Sequence, residues 1–163
     1  MKIMTGYNMA VGSAITVLSC IFGKFWYIFA AFLLLNVIDY ITGLMKAKFF
    51  NKLSSVAGLK GIIKKLSYWI AIAVAFLIPS TLCAMLNDLL GVNAEFLMLF
   101  GWFTVATFMV NEARSAIENL VQMEVDVPEF LIKGLAVAEK LIEDAAESKI
   151  PRKDVKVEKE VIK

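Results

Sequence analysis

A chain of 163 residues with 60% apolar and 20% charged residues is one domain by length, but soluble domains run about 45–50% apolar and about 25% charged. Its formal charge of +2 hides an asymmetry: residues 1–66 hold eight lysines against one acid, Asp39, whereas residues 67–163 hold nine bases against fourteen acids. The chain is too apolar to be disordered, too locally basic for a nucleic-acid binder and too poor in cysteine (Cys20 and Cys83) for a disulfide framework; with no histidine and two cysteines, histidine or multi-thiolate metal chemistry is not expected, which leaves a membrane protein.

Residues 9–23 are apolar but short for a span, and they contain Ser13, Thr16 and Ser19. Asn8, Gly12, Thr16, Ser19 and Gly23 recur at helical spacing and form a small, weakly polar face. That face reads either as a helix-packing surface or as an amphipathic wall that meets water when copies assemble. Val17-Leu18-Ser19-Cys20 has some look of a lipoprotein cleavage site. Only Lys2 precedes it and another apolar stretch follows at once, so a signal peptide is not the expected reading. Residues 1–23 are expected to form an amino-terminal amphipathic or transmembrane helix.

A membrane core is expected over residues 24–122. Residues 25–45 make the first strong span, bounded by Lys24 and Lys46, with a Phe25-Trp26-Tyr27 belt at one end and Asp39 toward the other. A carboxylate costs about 2.5–3.5 kcal/mol at a helix centre and less near an end. Residues 46–65 read as a lysine-rich loop, with Lys46, Lys48, Lys52, Lys60, Lys64 and Lys65 and no acid; Ser54-Ser55 is expected to be solvated, and Gly58 and Gly61 to allow turns. Residues 66–86 lack Asp, Glu, Lys and Arg. As a helix they rise about 31 Å, matching a hydrocarbon core of roughly 30 Å. Pro79 is expected to kink that helix or end its regular part. The next loop, residues 87–95, carries Asp88 and Glu95 without a base, and residues 96–110 with their flanks make a third span. Positive loops stay in the cytoplasm, which predicts the lysine loop inside, the acidic loop outside and residues 112–163 returned to the cytoplasm.

Residues 111–119, NEARSAIEN, continue the third span. Glu112, Arg114 and Glu118 fall at the depth of the lysine loop, which predicts a charge cluster with Asp39 paired to Lys60, Lys64 or Arg114. A packing role and a gating role for that pair stay equally open. Residues 123–163 read as a cytoplasmic extension. Beyond Val127-Pro128, Leu131, Leu135, Ala138, Ile142 and Ala145 repeat at helical spacing beside Phe130, Gly134, Val137 and Leu141. The mostly acidic polar face of this amphipathic helix favours packing on another helix over lying on anionic lipid. Pro151 ends it, and residues 152–163, eight of them charged, read as a disordered tail. No histidine base, glycine-rich phosphate loop or cysteine pair is present, and Ser54-Ser55 lacks the spacing of a Ser–Lys nucleophile, so an enzyme is not expected.

Two ordered blocks carry a resemblance. Residues 36–43, NVIDYITG, with Lys46, then KLSS at 52–55 and GLKGIIKK at 58–65, form the first. Asn111-Glu112, Ser115, Ile117-Glu118-Asn119 and VPEFL at 127–131 form the second. Together, over about residues 12–135, they resemble the toxin-secretion/phage-lysis holin family. One departure is Pro79-Ser80, where members often place an acid. The resemblance marks Asp39, Tyr40, Thr42, Gly43, Ser54, Ser55, Gly58, Lys60, Gly61, Lys64 and Lys65 in the first block. In the second it marks Glu112, Ser115, Glu118, Asn119 and Pro128. These are its motif residues, with packing or gating roles; Gly12, Thr16, Ser19 and Gly23 add the possible packing face. It implies a protein of the bacterial cytoplasmic membrane that homo-oligomerises into non-specific lesions, releasing a cytosolic endolysin or a toxin, with the lipid bilayer as partner and no nucleic acid or cofactor. The expected fold is an all-α membrane protein: three to four transmembrane helices, a cytoplasmic amphipathic helix and a disordered charged tail. A small channel or transporter subunit, and a membrane anchor acting through residues 129–148, remain the other classes.

Overall fold

The structure, a computed structural model, describes residues 8, 9, 11–13, 15, 16 and 23–149. Helices α1 (Trp26–Phe49), α2 (Ser55–Leu90), α3 (Leu99–Gln122) and α4 (Glu129–Lys149) make up its bulk, with 3-10 turns at Gly23–Phe25 and Glu95–Met98 leading into α1 and α3. Among the described residues there is no strand. Three segments, Gly23–Phe49, Ser55–Leu90 and Glu95–Gln122, are long and apolar enough to cross a membrane. In the fourth expected segment, the described residues between 8 and 16 are helical, and the Thr16 hydroxyl donates to the Gly12 carbonyl at 2.8 Å. Ser19, Cys20 and the tail 152–163 lie outside the described residues.

The lysine-rich stretch 46–65 is not the loop its composition suggests. α1 runs on to Phe49, and α2 already begins at Ser55, leaving residues 50–54 as the connection. The reason is local. Ser54 adopts an extended backbone and its Oγ accepts from the Ala57 amide at 3.1 Å, a serine N-cap that starts the helix. Gly58 and Gly61 are therefore helical, not turns. Nor does Pro79 end the long helix, which continues to Leu90. The Ser80 and Thr81 hydroxyls both donate to the Leu77 carbonyl, at 2.9 and 2.8 Å, and so are satisfied within the helix just after the proline. Gly91, at φ 61°, caps α2 in the left-handed conformation. With 36 residues α2 rises about 54 Å, well beyond the roughly 30 Å apolar core of a bilayer.

Side-chain contacts fix the helix directions. Phe25 meets Trp102, Phe32 meets Phe108 and Asp39 meets Asn119, so α1 and α3 run parallel. Phe76 meets Trp102, Tyr68 meets Phe108 and Lys65 meets Glu112, so α2 runs antiparallel to both. One face of α3, through Gly101, Val105, Glu112, Ala116 and Asn119, is buried, while Phe29, Phe32, Asn36 and Thr42 are buried on α1. The apolar half of the junction is aromatic: Phe29, Phe32, Ile72 and Val105 form its centre, packed by Tyr68, Trp69, Phe76, Trp102 and Phe108. Gly101 permits this packing, because a Cβ there would stand 2.6 Å from the Phe76 ring.

Outside this seam the helices present apolar side chains outward. Leu33, Leu34 and Ile41 of α1 and Ile70, Leu77 and Ile78 of α2 are each half exposed or more. That inverts the soluble pattern and suits side chains whose solvent is hydrocarbon. Helix α4 differs. Leu135, Ala138, Ile142 and Ala145 are half-buried, whereas Phe130, Val137 and Leu141 are exposed. The turn before it places Glu124 at φ 62° and closes with Val125 N–H donating to Leu120 O at 3.1 Å.

Candidate functional site

At the lysine-bearing end of the bundle, polar side chains from three helices converge. Lys65 of α2 donates to Asp39 Oδ2 of α1 at 2.8 Å and also to Glu112 Oε2 of α3. Asn119 of α3 donates to Asp39 Oδ1 at 3.1 Å and to Thr42 Oγ1 at 3.2 Å, and the Thr42 hydroxyl donates to the Asp39 carbonyl at 3.0 Å. The Glu112 side chain is 1% exposed, and those of Lys65 and Asp39 are each 14% exposed. One ammonium thus serves two carboxylates in a nearly closed space. A lone carboxylate there would carry a large desolvation cost; sharing Lys65, and the Asn119 amide for Asp39, offsets it. One turn deeper in α1, the buried Asn36 amide donates to its own helix at Phe32 O, 2.7 Å, and leaves its Oδ1 without a protein partner.

The expected partners of Asp39 are corrected by this geometry: the partner is Lys65, not Lys60, Lys64 or Arg114. Once Ser54 starts α2, helical phase decides. Gly58, Gly61 and Lys65 share one face at spacings of 3 and 4, and that face meets α1. The Tyr40 ring and hydroxyl lie 3.8 Å from where Cβ atoms of Gly61 and Gly58 would stand. Lys64 points aside, with its Nζ 5.6 Å from the centre of the Tyr68 ring. Lys60 is exposed and forms no ion pair among the described residues. Arg114 turns to α4, where its fork pairs with both carboxylate oxygens of Glu139, Nη1 to Oε1 at 3.1 Å.

The other motif positions take structural places around this network. A Cβ on Gly43 would stand 3.7 Å from the Asn119 amide nitrogen, ordinary contact distance. Ser115 lines a cavity beside Asp39 and Lys65. Glu118 is exposed, Ser55 is the first residue of α2, and the carbonyl of Pro128 accepts from Leu131 N–H as α4 begins. Gly12 and Thr16 bond to one another and Gly23 opens the turn into α1 at φ 64°. Three residues escaped the sequence reading as participants: Asn36, Gly101 and Glu139. Asn36 lies three residues before Asp39 on an otherwise apolar stretch, which is the signal that marks it.

The arrangement can hold three helices together; among the described residues no group of three His, Cys, Asp or Glu is placed to hold an ion. What it supplies is a set of polar contacts that ties α1, α2 and α3 together at one level.

Comparison with known proteins agrees with the motif blocks. Residues 16–140 match the model of the bacteriophage holin family. A probable holin of Bacillus phage phi105 is 34% identical over 107 residues, 66% of this chain and 70% of that protein. An uncharacterised protein of Halalkalibacterium halodurans is 29% identical over 84% of this chain and 95% of its own length. Another from Clostridium perfringens is 32% identical over 74% of this chain and 81% of its length. No solved structure matches the chain.

Proposed function

We propose that this chain, which belongs to the bacteriophage holin family, oligomerises in the bacterial cytoplasmic membrane into non-specific lesions that release an endolysin or a toxin. The observation that carries the mechanism is the latch of Asp39, Lys65, Glu112 and Asn119, which ties all three spans together. While it is closed, each copy shows lipid an apolar surface and keeps its polar groups inside. Opening the latch turns the same groups outward, where contact with other copies or water is preferable to contact with lipid. Assembly is then driven by a conformational change in the single copy. The lysine-bearing end faces the cytoplasm by its excess of positive charge, so α4 lies there as well.

Co-expression tests this reading. The chain is induced in bacteria carrying a cytosolic endolysin that lacks any export signal. Abrupt lysis that requires both proteins, preceded by loss of membrane potential, is the expected result. Depolarisation without endolysin release would make the protein a selective channel, and no leakage at all would make it an anchor; either overturns the proposal. Asp39→Asn in the same assay should shift the lysis time, and unchanged timing with unchanged oligomer size would remove the latch from the mechanism.

A further inference from the structure

Against the latch, and lined in part by its Asp39, Lys65 and Asn119, a cavity of about 290 Å³ lies at the lysine-bearing end between α1, α2 and α3. Lys46 from the end of α1 and Lys64 and Lys65 from α2 contribute to its lining, together with the hydroxyl-bearing Tyr40, Ser54 and Ser115. We infer that this cavity binds the phosphate group of an anionic phospholipid headgroup, such as that of phosphatidylglycerol.

The charge balance points there. Asp39 is the sole acid in the lining, and its two oxygens are already taken by Lys65 and Asn119. Glu112, which does not line the cavity, shares Lys65. Counting both carboxylates against Lys46, Lys64 and Lys65 still leaves a surplus of one positive charge. Lys48, Lys52 and Lys60, exposed and without ion pairs among the described residues, add to it. Lys46 is half-buried yet has no carboxylate partner among the described residues. A partly covered lysine in a lining that carries more positive than negative charge favours an anion from outside the protein. The same conclusion follows from depth. Residues 66–86 lack acids and bases and match the hydrocarbon thickness, so Lys64 and Lys65 sit where the membrane's phosphate groups begin. Basic pockets between transmembrane helices at this depth are the usual place for anionic headgroups. Leu44 and Leu53, also in the lining and exposed, provide apolar wall for the glycerol and first methylenes. Free phosphate would use the lysines and hydroxyls but not that wall.

The full-length protein in detergent micelles, loaded with phosphatidylglycerol or phosphatidylcholine, tests the inference by native mass spectrometry of retained lipid. The wild type should retain phosphatidylglycerol in clear preference. Lys46→Gln with Lys64→Gln should lower that retention about 25-fold, roughly fivefold for each lysine near a phosphate. Lys140→Gln, on α4 and away from the cavity, should leave it unchanged. Lys46→Arg with Lys64→Arg keeps both charges and should retain the preference, which separates lost recognition from lost folding. Equal retention of the two lipids by the wild type, or unchanged retention by the double Gln variant, overturns the inference. Displacement of the lipid by excess inorganic phosphate would assign the cavity to a soluble anion and overturn the lipid source.

Discussion

Replacing Lys65 with methionine keeps an unbranched side chain, one atom shorter, and removes the one cation shared by Asp39 and Glu112. Glu112, 1% exposed, then loses the cation in contact with it, while Asp39 keeps the Asn119 amide. Removing one partner of a buried pair costs about 3–5 kcal/mol, because the remaining charge stays desolvated. The residual exposure of Asp39 and its position near the membrane boundary place this site at the lower end, about 3 kcal/mol. Adding Glu112→Gln removes the stranded charge and should bring the loss back to about 1 kcal/mol, the scale of an interhelical hydrogen bond in a membrane. Lys60→Met, exposed and unpaired, should change stability by less than about 0.5 kcal/mol. Helical circular dichroism followed through a titration with dodecyl sulfate in mixed micelles measures all four proteins. A Lys65→Met loss no larger than that of Lys60→Met, or a double variant no more stable than the single one, would refute the latch.

Three further substitutions probe the frame around it. Gly101→Ala drives a Cβ to 2.6 Å from the Phe76 ring and should cost about 1–3 kcal/mol in the same titration, with Phe76→Leu recovering part of it. Glu124 occupies a left-handed conformation that costs a side-chain-bearing residue about 1 kcal/mol, so Glu124→Gly should stabilise the turn between α3 and α4, seen as slower cleavage by glutamyl endopeptidase at the neighbouring Glu129. Glu139→Gln removes one charge from a partly exposed pair with Arg114; it should weaken α4 docking by no more than about 1 kcal/mol, read as faster hydrogen exchange in α4 with α1 to α3 unaffected.

The apolar spans were legible because their information is local: length, absence of charge and aromatic belts suffice for 25–45 and 66–86. The lysine-rich segment was not, because composition gives a segment's polarity but not its helical phase. Six lysines without an acid look solvated whether or not they coil. Only the cap at Ser54 fixes the phase that turns Gly58, Gly61 and Lys65 toward α1 and leaves Lys60 outward. The charge cluster itself could be expected from shared depth, yet depth cannot choose among lysines one residue apart: Lys64 and Lys65 differ by about 100° around the helix. Arg114 was misassigned for a related reason. Its partner Glu139 belongs to α4, whose apolar stripe is plain in the sequence but whose docking face depends on the turn at residues 123–128.

Where the latch sits decides how firmly it holds. Asp39, Lys65 and Glu112 each lie ten residues from the helix end nearest the lysines, since α1 ends at Phe49, α2 begins at Ser55 and α3 ends at Gln122. The charges therefore occupy one common level, about 15 Å inside those ends. At the centre of the bilayer an ionised triad would be expensive to form and, once formed, as expensive to open. Near the boundary, water and headgroups can solvate the separated groups, so the closed state gains less over the open one. An arrangement worth only a few kcal/mol can be shifted by a modest change in surroundings, whereas the aromatic seam of Phe29, Phe32, Ile72 and Val105 deeper in the bundle has no polar state to exchange with. The two halves of the interface thus differ in kind: the seam packs the three helices through apolar contact, and the ion-pair network ties them at one level near the lysine-bearing end.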